Sequence, residues 1–305
     1  MILVVGASGR LGGLVARQLL LEGKQVRAMS RTPSSLSELT AMGADTVVGD
    51  LRDPQSLAVA CQGIDAIFSA THAFNGSGSN SPRAVDDIGN RNLIDAARTA
   101  HVRHVVFTSI LGARPDHPVN MYRYKYAIEQ YLRASDLSYT ILRPAPFMET
   151  WIEILGRSII TQGKAMVFGK GDNPINFVSV RDVARFAVMA LGGNSNAHNR
   201  IIEVGGPENT TQLQFVRLIE EASGRKSRVQ HIPLPMMRIM RLVTQPINPA
   251  FSRQILAGII MDTEDMTFDP AETLKLLPMR LTPLQEVVES EFARTPVTTH
   301  REQAR

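Results

Sequence analysis

The sequence predicts an α/β fold: a parallel sheet doubly wound with helices on both faces, followed by a stretch of looser pattern. Three observations carry this. Short apolar runs alternate with helical segments, β-α-β-α-β-α-β-α-β, from residue 1 to residue 108. A glycine-rich turn joins the first run to the first helix. Beyond residue 142 the alternation loosens and short strands mix with helices. Parallel crossovers are almost always right-handed, so little topological choice is left.

Met1 to Val5 is a short apolar run closed by Gly6, a fully buried strand. Leu11 to Leu21 places Leu11, Leu14, Val15 and Leu19 on one helical face, and Gly23 stops it. Gln25–Ser30 is the second strand, 34–42 a short helix stopped by Gly43, and Thr46–Val48 the third strand. Asp53-Pro54 opens a helix to Cys61. Ile64–Ala70 is the fourth strand. His72 to Pro82, rich in Gly, Ser and Asn, reads as a mobile loop. A helix over 85–100 and a strand over 104–108 follow. Then come a helix over 121–134, a strand over 139–142 and Arg143-Pro144. Later elements are helices over 149–162, 180–191 and 210–223 and strands over 165–168, 176–178, 200–204 and 228–232. Thr211 and Gln214 form a capping pair. From Pro233 onward the chain is helix-rich, and 295–305 reads as a frayed tail.

The chain has 305 residues, 44 % of them hydrophobic, which excludes disorder for the bulk. Its net charge of +4 is scattered, which argues against a nucleic-acid partner. The single Cys61 excludes an intrachain disulfide and a cysteine zinc site, and fits a reducing, cytoplasmic setting. The longest apolar runs fall far below the ~18 residues of a membrane span. No signal peptide is visible. HExxH, clustered metal ligands and a GxSxG elbow are all missing.

The strongest local signal is Gly6-Ala7-Ser8-Gly9-Arg10-Leu11-Gly12-Gly13, between strand and helix. Glycines there allow a tight turn and a close approach of backbone N–H groups to a pyrophosphate, and the helix dipole points its positive end at it. A dinucleotide is therefore the expected cofactor. The second strand ends in Met29-Ser30-Arg31, with no acid to take an NAD ribose. Arg31 offers a charged fork to a 2′-phosphate and Ser30 a hydrogen bond, so NADP(H) is expected over NAD(H). Arg10 is a second candidate for that phosphate. Asp50, with Leu51, stands where an adenine amino group would be bonded, or else is a turn residue. Ala70 and Thr71 end the fourth strand and are expected to line the cleft.

These residues, with Gly49-Asp50-Leu51-Arg52-Asp53, 85–97, Val105-Val-Phe-Thr-Ser109, 125–132, Tyr139-Thr-Ile-Leu-Arg143-Pro144, 177–184 and Val204-Gly-Gly-Pro207, resemble the atypical short-chain dehydrogenase/reductase superfamily, most of all its NmrA-like branch. The resemblance runs to about residue 290. It implies a Rossmann domain over 1–145, rejoined by 176–204, and a smaller C-terminal α+β substrate-binding part over 146–175 and 205–294.

Such proteins usually pair a tyrosine with a lysine four residues later on one helix. Lys125 matches the lysine, but Met121 stands in the tyrosine's place. Lys125 then holds the nicotinamide ribose, acts as the acid/base itself, or pairs with Glu129 one turn on. A distorted first turn would be needed to bring Tyr122 round. Ser109 matches a substrate-orienting serine, or else caps nearby backbone. Pro144 and Phe147 are expected to cross the nicotinamide. Phe147, Met148, Trp151, Met166 and Phe168 form either an apolar pocket or plain core. His72 and His117 are loop histidines able to supply a proton, and Asp182 suggests a helix N-cap. The Met-rich stretch 235–242 suggests core or lid packing ahead of a membrane-contacting helix. An NADPH-dependent reductase of an apolar carbonyl, enone or quinone follows, with a small-molecule substrate. A non-catalytic NADP(H)-binding regulator or assembly factor with a protein partner is the alternative, and a sugar-nucleotide epimerase is disfavoured by Met121.

Overall fold

The computed structural model describes residues 1–294, so the tail expected to fray lies outside the described residues. Along the chain run β1 (Ile2–Val5), α1 (Arg10–Leu21), β2 (Val26–Ser30), α2 (Ser37–Ala41), β3 (Asp45–Val48), α3 (Pro54–Ala60) and β4 (Ala66–Ser69). Next come α4 (Asn90–Thr99), β5 (His104–Thr108), α5 (Asn120–Arg133), β6 (Ser138–Pro144), α6 (Met148–Gln162), β7 (Lys164–Phe168), β8 (Ile175–Asn176) and α7 (Val180–Leu191). β9 (Arg200–Val204), β10 (Asn209–Thr210), α8 (Gln212–Ser223) and β11 (Arg228–Ile232) lead to α9 (Leu234–Thr244), α10 (Pro249–Thr263), α11 (Ala271–Leu276) and α12 (Leu284–Arg294).

Seven strands form one parallel sheet in the order β3-β2-β1-β4-β5-β6-β9. This is the doubly wound α/β fold the alternation predicts. The strand order reverses between β1 and β4, which opens a crevice at their carboxyl ends. Val4, Phe68 and Val106 turn to one face, under α1 and α7, while Leu3, Val5, Ile67 and Phe107 turn to the other, under α3, α4 and α5. Two-residue alternation in each strand produces this split. A third core joins α6, α8 and α12 around Phe177, Phe215 and Ile159. Each such fully buried side chain contributes roughly 2 kcal/mol of transfer free energy.

Caps explain where the helices begin. Asp53 accepts from the Gln55 N–H at 3.0 Å, with Pro54 in the first turn of α3. Thr211 and Gln214 cap α8 reciprocally, at 3.1 and 2.9 Å. Asp182, expected as an N-cap, is not one: Ser179 caps α7, accepting from the Arg181 N–H. Asp182 is fully buried one turn in, and accepts from the Thr282 N–H at 2.7 Å and its hydroxyl at 2.8 Å. It ties the approach to α12 onto the sheet's flanking helix.

Two stretches depart from the expected pattern. The 85–100 helix opens with a π-helical stretch, Arg83–Gly89. Asn90 Nδ2 donates to the carbonyls of Val85 (3.0 Å) and Asp86 (3.2 Å), which displaces the regular ladder. The 72–82 loop, expected to be mobile, is instead fastened at both ends. Arg31 and Arg52 hold Asn80 Oδ1 (3.2 Å) and Ser79 O (2.9 Å), while Arg253 of α10 donates to the carbonyls of Phe74 and Gly76.

Candidate cofactor and active site

The crevice begins at the glycine-rich turn. Gly6 has φ +83°, and a Cβ there would lie 3.1 Å from the Ala70 carbonyl oxygen and 3.2 Å from Thr71 Cγ2. A Cβ on Gly12 would stand 2.2 Å from Gly6 O, so glycine alone lets α1 pack this close to the turn. Leu11 is buried and anchors the helix. Gly9 is the N-cap of α1, no side chain caps it, and no acidic residue stands in its first turn. Its amides and dipole are thus left for an anion.

At the end of β2, Ser30 Oγ lies 3.3 Å from Ser8 Oγ and 2.8 Å from Ser35 Oγ, so three hydroxyls converge beside Arg31. Ser35 was not legible as part of this group, because it follows the strand in a 3₁₀ turn. Arg10 turns aside to pair with Glu153 of α6. Arg52 engages both oxygens of Asp50, and that bond holds the Asp50 carboxyl below the usual carboxylate range. Leu51 is buried, and its carbonyl accepts from Asn92 at 3.0 Å.

Lys125 lies deep under the crevice. Nζ donates to the carbonyls of Thr71 (2.7 Å) and Thr108 (3.0 Å), at the ends of β4 and β5, and sits 3.4 Å from Asp86 Oδ1. Burial pushes its pKa down, and the Asp86 charge opposes that shift. Asp86 comes from the π-helical stretch and also accepts from the Ala73 N–H at 2.9 Å. The expected i,i+4 pair of Lys125 with Glu129 does not form. Glu129 is fully buried and takes Arg143 at 2.6 and 2.9 Å. Ser109 caps no neighbouring backbone, since its buried hydroxyl donates to Glu129. Asp86 and the Arg143–Glu129 pair escaped the sequence because their partners are far along the chain.

Two buried hydroxyls here, Thr71 Oγ1 and Thr108 Oγ1, have no hydrogen-bond partner, and Asp86 Oδ1 has only the Lys125 ammonium 3.4 Å away. Orphaned polar atoms beside an open anion-ready turn fit a bound dinucleotide, whose ribose and amide groups carry complementary donors and acceptors. Among the described residues no group of acidic, His or Cys side chains could hold a metal ion.

The first turn of the helix that bears Lys125 packs Met121 and Tyr122 into a small apolar cluster with Val119, Phe74, Ile110 and Ile260. Of the residues read as pocket or plain core over 147–168, most pack as core. Met148 belongs to the third core, Trp151 packs edge-on to Phe168 and Phe177, and Met166 is exposed. Phe147 packs on the first core, and Pro144, buried, accepts from the Leu111 N–H at 2.9 Å. Tyr122 does not swing round to the Met121 position. Its ring stacks on His117 at 3.9 Å, and burial, aided by Glu264, pushes its pKa up to about 12. His117 is buried, its Nδ1 accepts from the Val119 N–H at 3.1 Å, and burial lowers its pKa. His72 is exposed at the lip of the crevice.

The profile of the family described as NAD(P)H-binding matches residues 6–193. The chain is 31 % identical over 300 residues to the photosystem II assembly factor Ycf39 of Synechocystis, covering 96 % of this chain and 91 % of that one. It is 30 % identical over 285 residues to the NAD(P)H azoreductase of Xenophilus azovorans, covering 90 % and 95 %. The NADPH complex of the Escherichia coli NADPH-dependent quinone oxidoreductase QOR2 superposes with a TM-score of 0.78, at 22 % identity, over 96 % of this chain and 100 % of that one. At that identity the likeness speaks for the fold.

Proposed function

The chain belongs to the NAD(P)H-binding family of atypical, NmrA-like short-chain dehydrogenases/reductases, and from that premise we propose an NADPH-dependent reductase of a small apolar carbonyl, enone or quinone. One observation carries the reading: a buried lysine and two orphaned threonine hydroxyls gather at the sheet's switch point, the lysine on a helix whose first turn packs in an apolar cluster. Bound NADPH supplies a hydride, and the protein binds, orients and excludes water.

In this reading Gly6, Ser8, Gly9, Leu11 and Gly12 cradle the pyrophosphate. Ser30 and Arg31, joined by Ser8 and Ser35, take the 2′-phosphate and set the preference for NADP(H), while Arg10 stays paired with Glu153. Asp50 and Leu51 border the adenine. Ala70, Thr71, Pro144 and Phe147 flank the nicotinamide end. Lys125 holds the ribose and is the proton-bearing group of the crevice. Ser109, steadied by Glu129, orients the substrate.

A second reading, a nucleotide-binding regulator or assembly factor, is favoured by Met121 in the tyrosine's place and by the likeness to an assembly factor. Calorimetric titration with NADPH and NADH, followed by a screen of quinone, enone and azo acceptors, separates the two. Tight NADPH binding with acceptor-dependent oxidation supports the reductase. Tight binding with no oxidation by any acceptor supports the regulator.

A further inference from the structure

Helix α9 is amphipathic in reverse. Met237 is its only fully buried side chain and rests against α10. At 100° per residue, Met236, Ile239, Leu242 and Val243 fall together on the opposite side. These four, with Ile247 in the turn to α10, are between 45 % and 80 % exposed. Core or lid packing, the reading expected for this stretch, therefore does not account for its outer face. A contiguous exposed apolar patch on a folded chain marks a surface that meets something.

Charge says what it meets. From residue 222 to 261 the chain has no acidic residue and six basic ones, of which Lys226 pairs with Glu220 and Arg253 turns inward onto the 72–82 loop, leaving Arg225, Arg228, Arg238 and Arg241. Arg238 and Arg241 sit within α9 itself, and neither makes an ion pair among the described residues. The stripe is also convex. The outward face of a single helix offers no pocket to a folded partner, while a fluid bilayer requires none. An apolar stripe bordered by the exposed, unpaired Arg238, with Arg241 further round the same helix, matches a helix lying in the interface of an anionic membrane. We propose that the outer face of α9, continued by Ile247, docks this protein peripherally on an anionic lipid surface. No helix of the described residues is long and apolar enough to cross a membrane, so the contact is interfacial. Behind α9, the inner side of α10 carries Ile260 into the apolar cluster around Met121 and Arg253 onto the 72–82 loop. The docked face thus backs directly onto the crevice wall.

The test is flotation of the full chain with vesicles of phosphatidylcholine alone or with about a third phosphatidylglycerol. Two variants accompany it, Ile239→Glu/Leu242→Glu and Arg238→Gln/Arg241→Gln. All four positions are at least partly exposed, and unchanged thermal melting checks that the variants fold. Leu242→Gln alone serves if the double charge unfolds the chain. The expected result is roughly tenfold stronger partitioning onto the anionic vesicles, lost in the apolar variant and reduced to the neutral-vesicle level in the arginine variant. No partitioning, equal partitioning on both lipids, or partitioning unaffected by the variants overturns the proposal. So does a concentration-dependent dimer that Ile239→Glu dissolves, which would mean that a second copy covers the stripe.

Discussion

Buried polar groups away from the crevice find partners across the sheet, while Thr71 Oγ1 and Thr108 Oγ1 at the crevice have none. His104 shows the first case. Its Nδ1 lies 3.0 Å from Ser138 Oγ and its Nε2 3.2 Å from Thr140 Oγ1, whose own proton goes to Ala197 O. Nε2 therefore donates to Thr140 Oγ1, and in the neutral ring Nδ1 is left to accept from the Ser138 hydroxyl. Burial, with His198 stacked on it, lowers its pKa to about 4. Because the folded value lies below the unfolded one, protonation favours unfolding. Stability is full above pH ~6.5 and falls as pH drops towards 4, by about 3 kcal/mol. Urea unfolding across that window is expected to show the loss, and His104→Gln to flatten it. An equal pH slope in the variant would assign the loss to other groups.

Lys125 and Arg31 are residue-scale tests of the cofactor site. Lys125→Ala is expected to weaken NADPH binding about tenfold or more; unchanged affinity would remove it from the ribose site. Arg31→Ala is expected to bring NADPH affinity down towards that for NADH, a loss of about 2 kcal/mol in discrimination. Equal losses for both cofactors would place Arg31 away from the 2′-phosphate. The lysine, the glycines and the strand-end arginine were legible in the chain because local spacing defines them. The partners of Lys125 and Ser109 were not, because Asp86 and Glu129 reach them only after a π-helical turn and a neighbouring strand are in place.

At the scale of elements, the glycine turn is the most demanding. Gly12→Ala would set a Cβ 2.2 Å from the backbone oxygen of Gly6, so α1 must back away from the sheet. A loss of roughly 3 kcal/mol in unfolding free energy is expected, together with NADPH binding. Full stability in the variant would show that the turn gives way easily. The 72–82 loop makes a second point. Its composition suggested mobility, yet Arg31 holds the Asn80 side chain, and Arg52 and Arg253 hold backbone carbonyls at its two ends. Composition reports what a loop can do, while the restraint comes from a helix some 170 residues away in sequence. Hydrogen exchange over residues 74–80 is expected to quicken in Arg253→Ala. Exchange at the original rate would leave the loop's order to its own turns.

On the scale of the whole molecule, the parallel sheet, its strand directions and its switch point follow from alternation and right-handed crossovers. The later segments were harder to read. Their strands β8 and β10 have two residues each, too few for a period to appear. The apolar cluster around Met121 also draws its members from the 72–82 loop, α5 and α10, so no single stretch announced it. Met148 and Trp151 look like pocket residues in a string of letters, but helix α6 turns them into the third core.

The central claim is that this crevice moves a hydride. The most direct measurement is single-turnover NADPH oxidation with a quinone acceptor, using cofactor deuterated at the transferable position. The account predicts oxidation far above the cofactor's spontaneous rate, slowed by the deuterium and by Lys125→Ala. Saturating NADPH binding with oxidation no faster than in buffer, across all quinone, enone and azo acceptors, would contradict it.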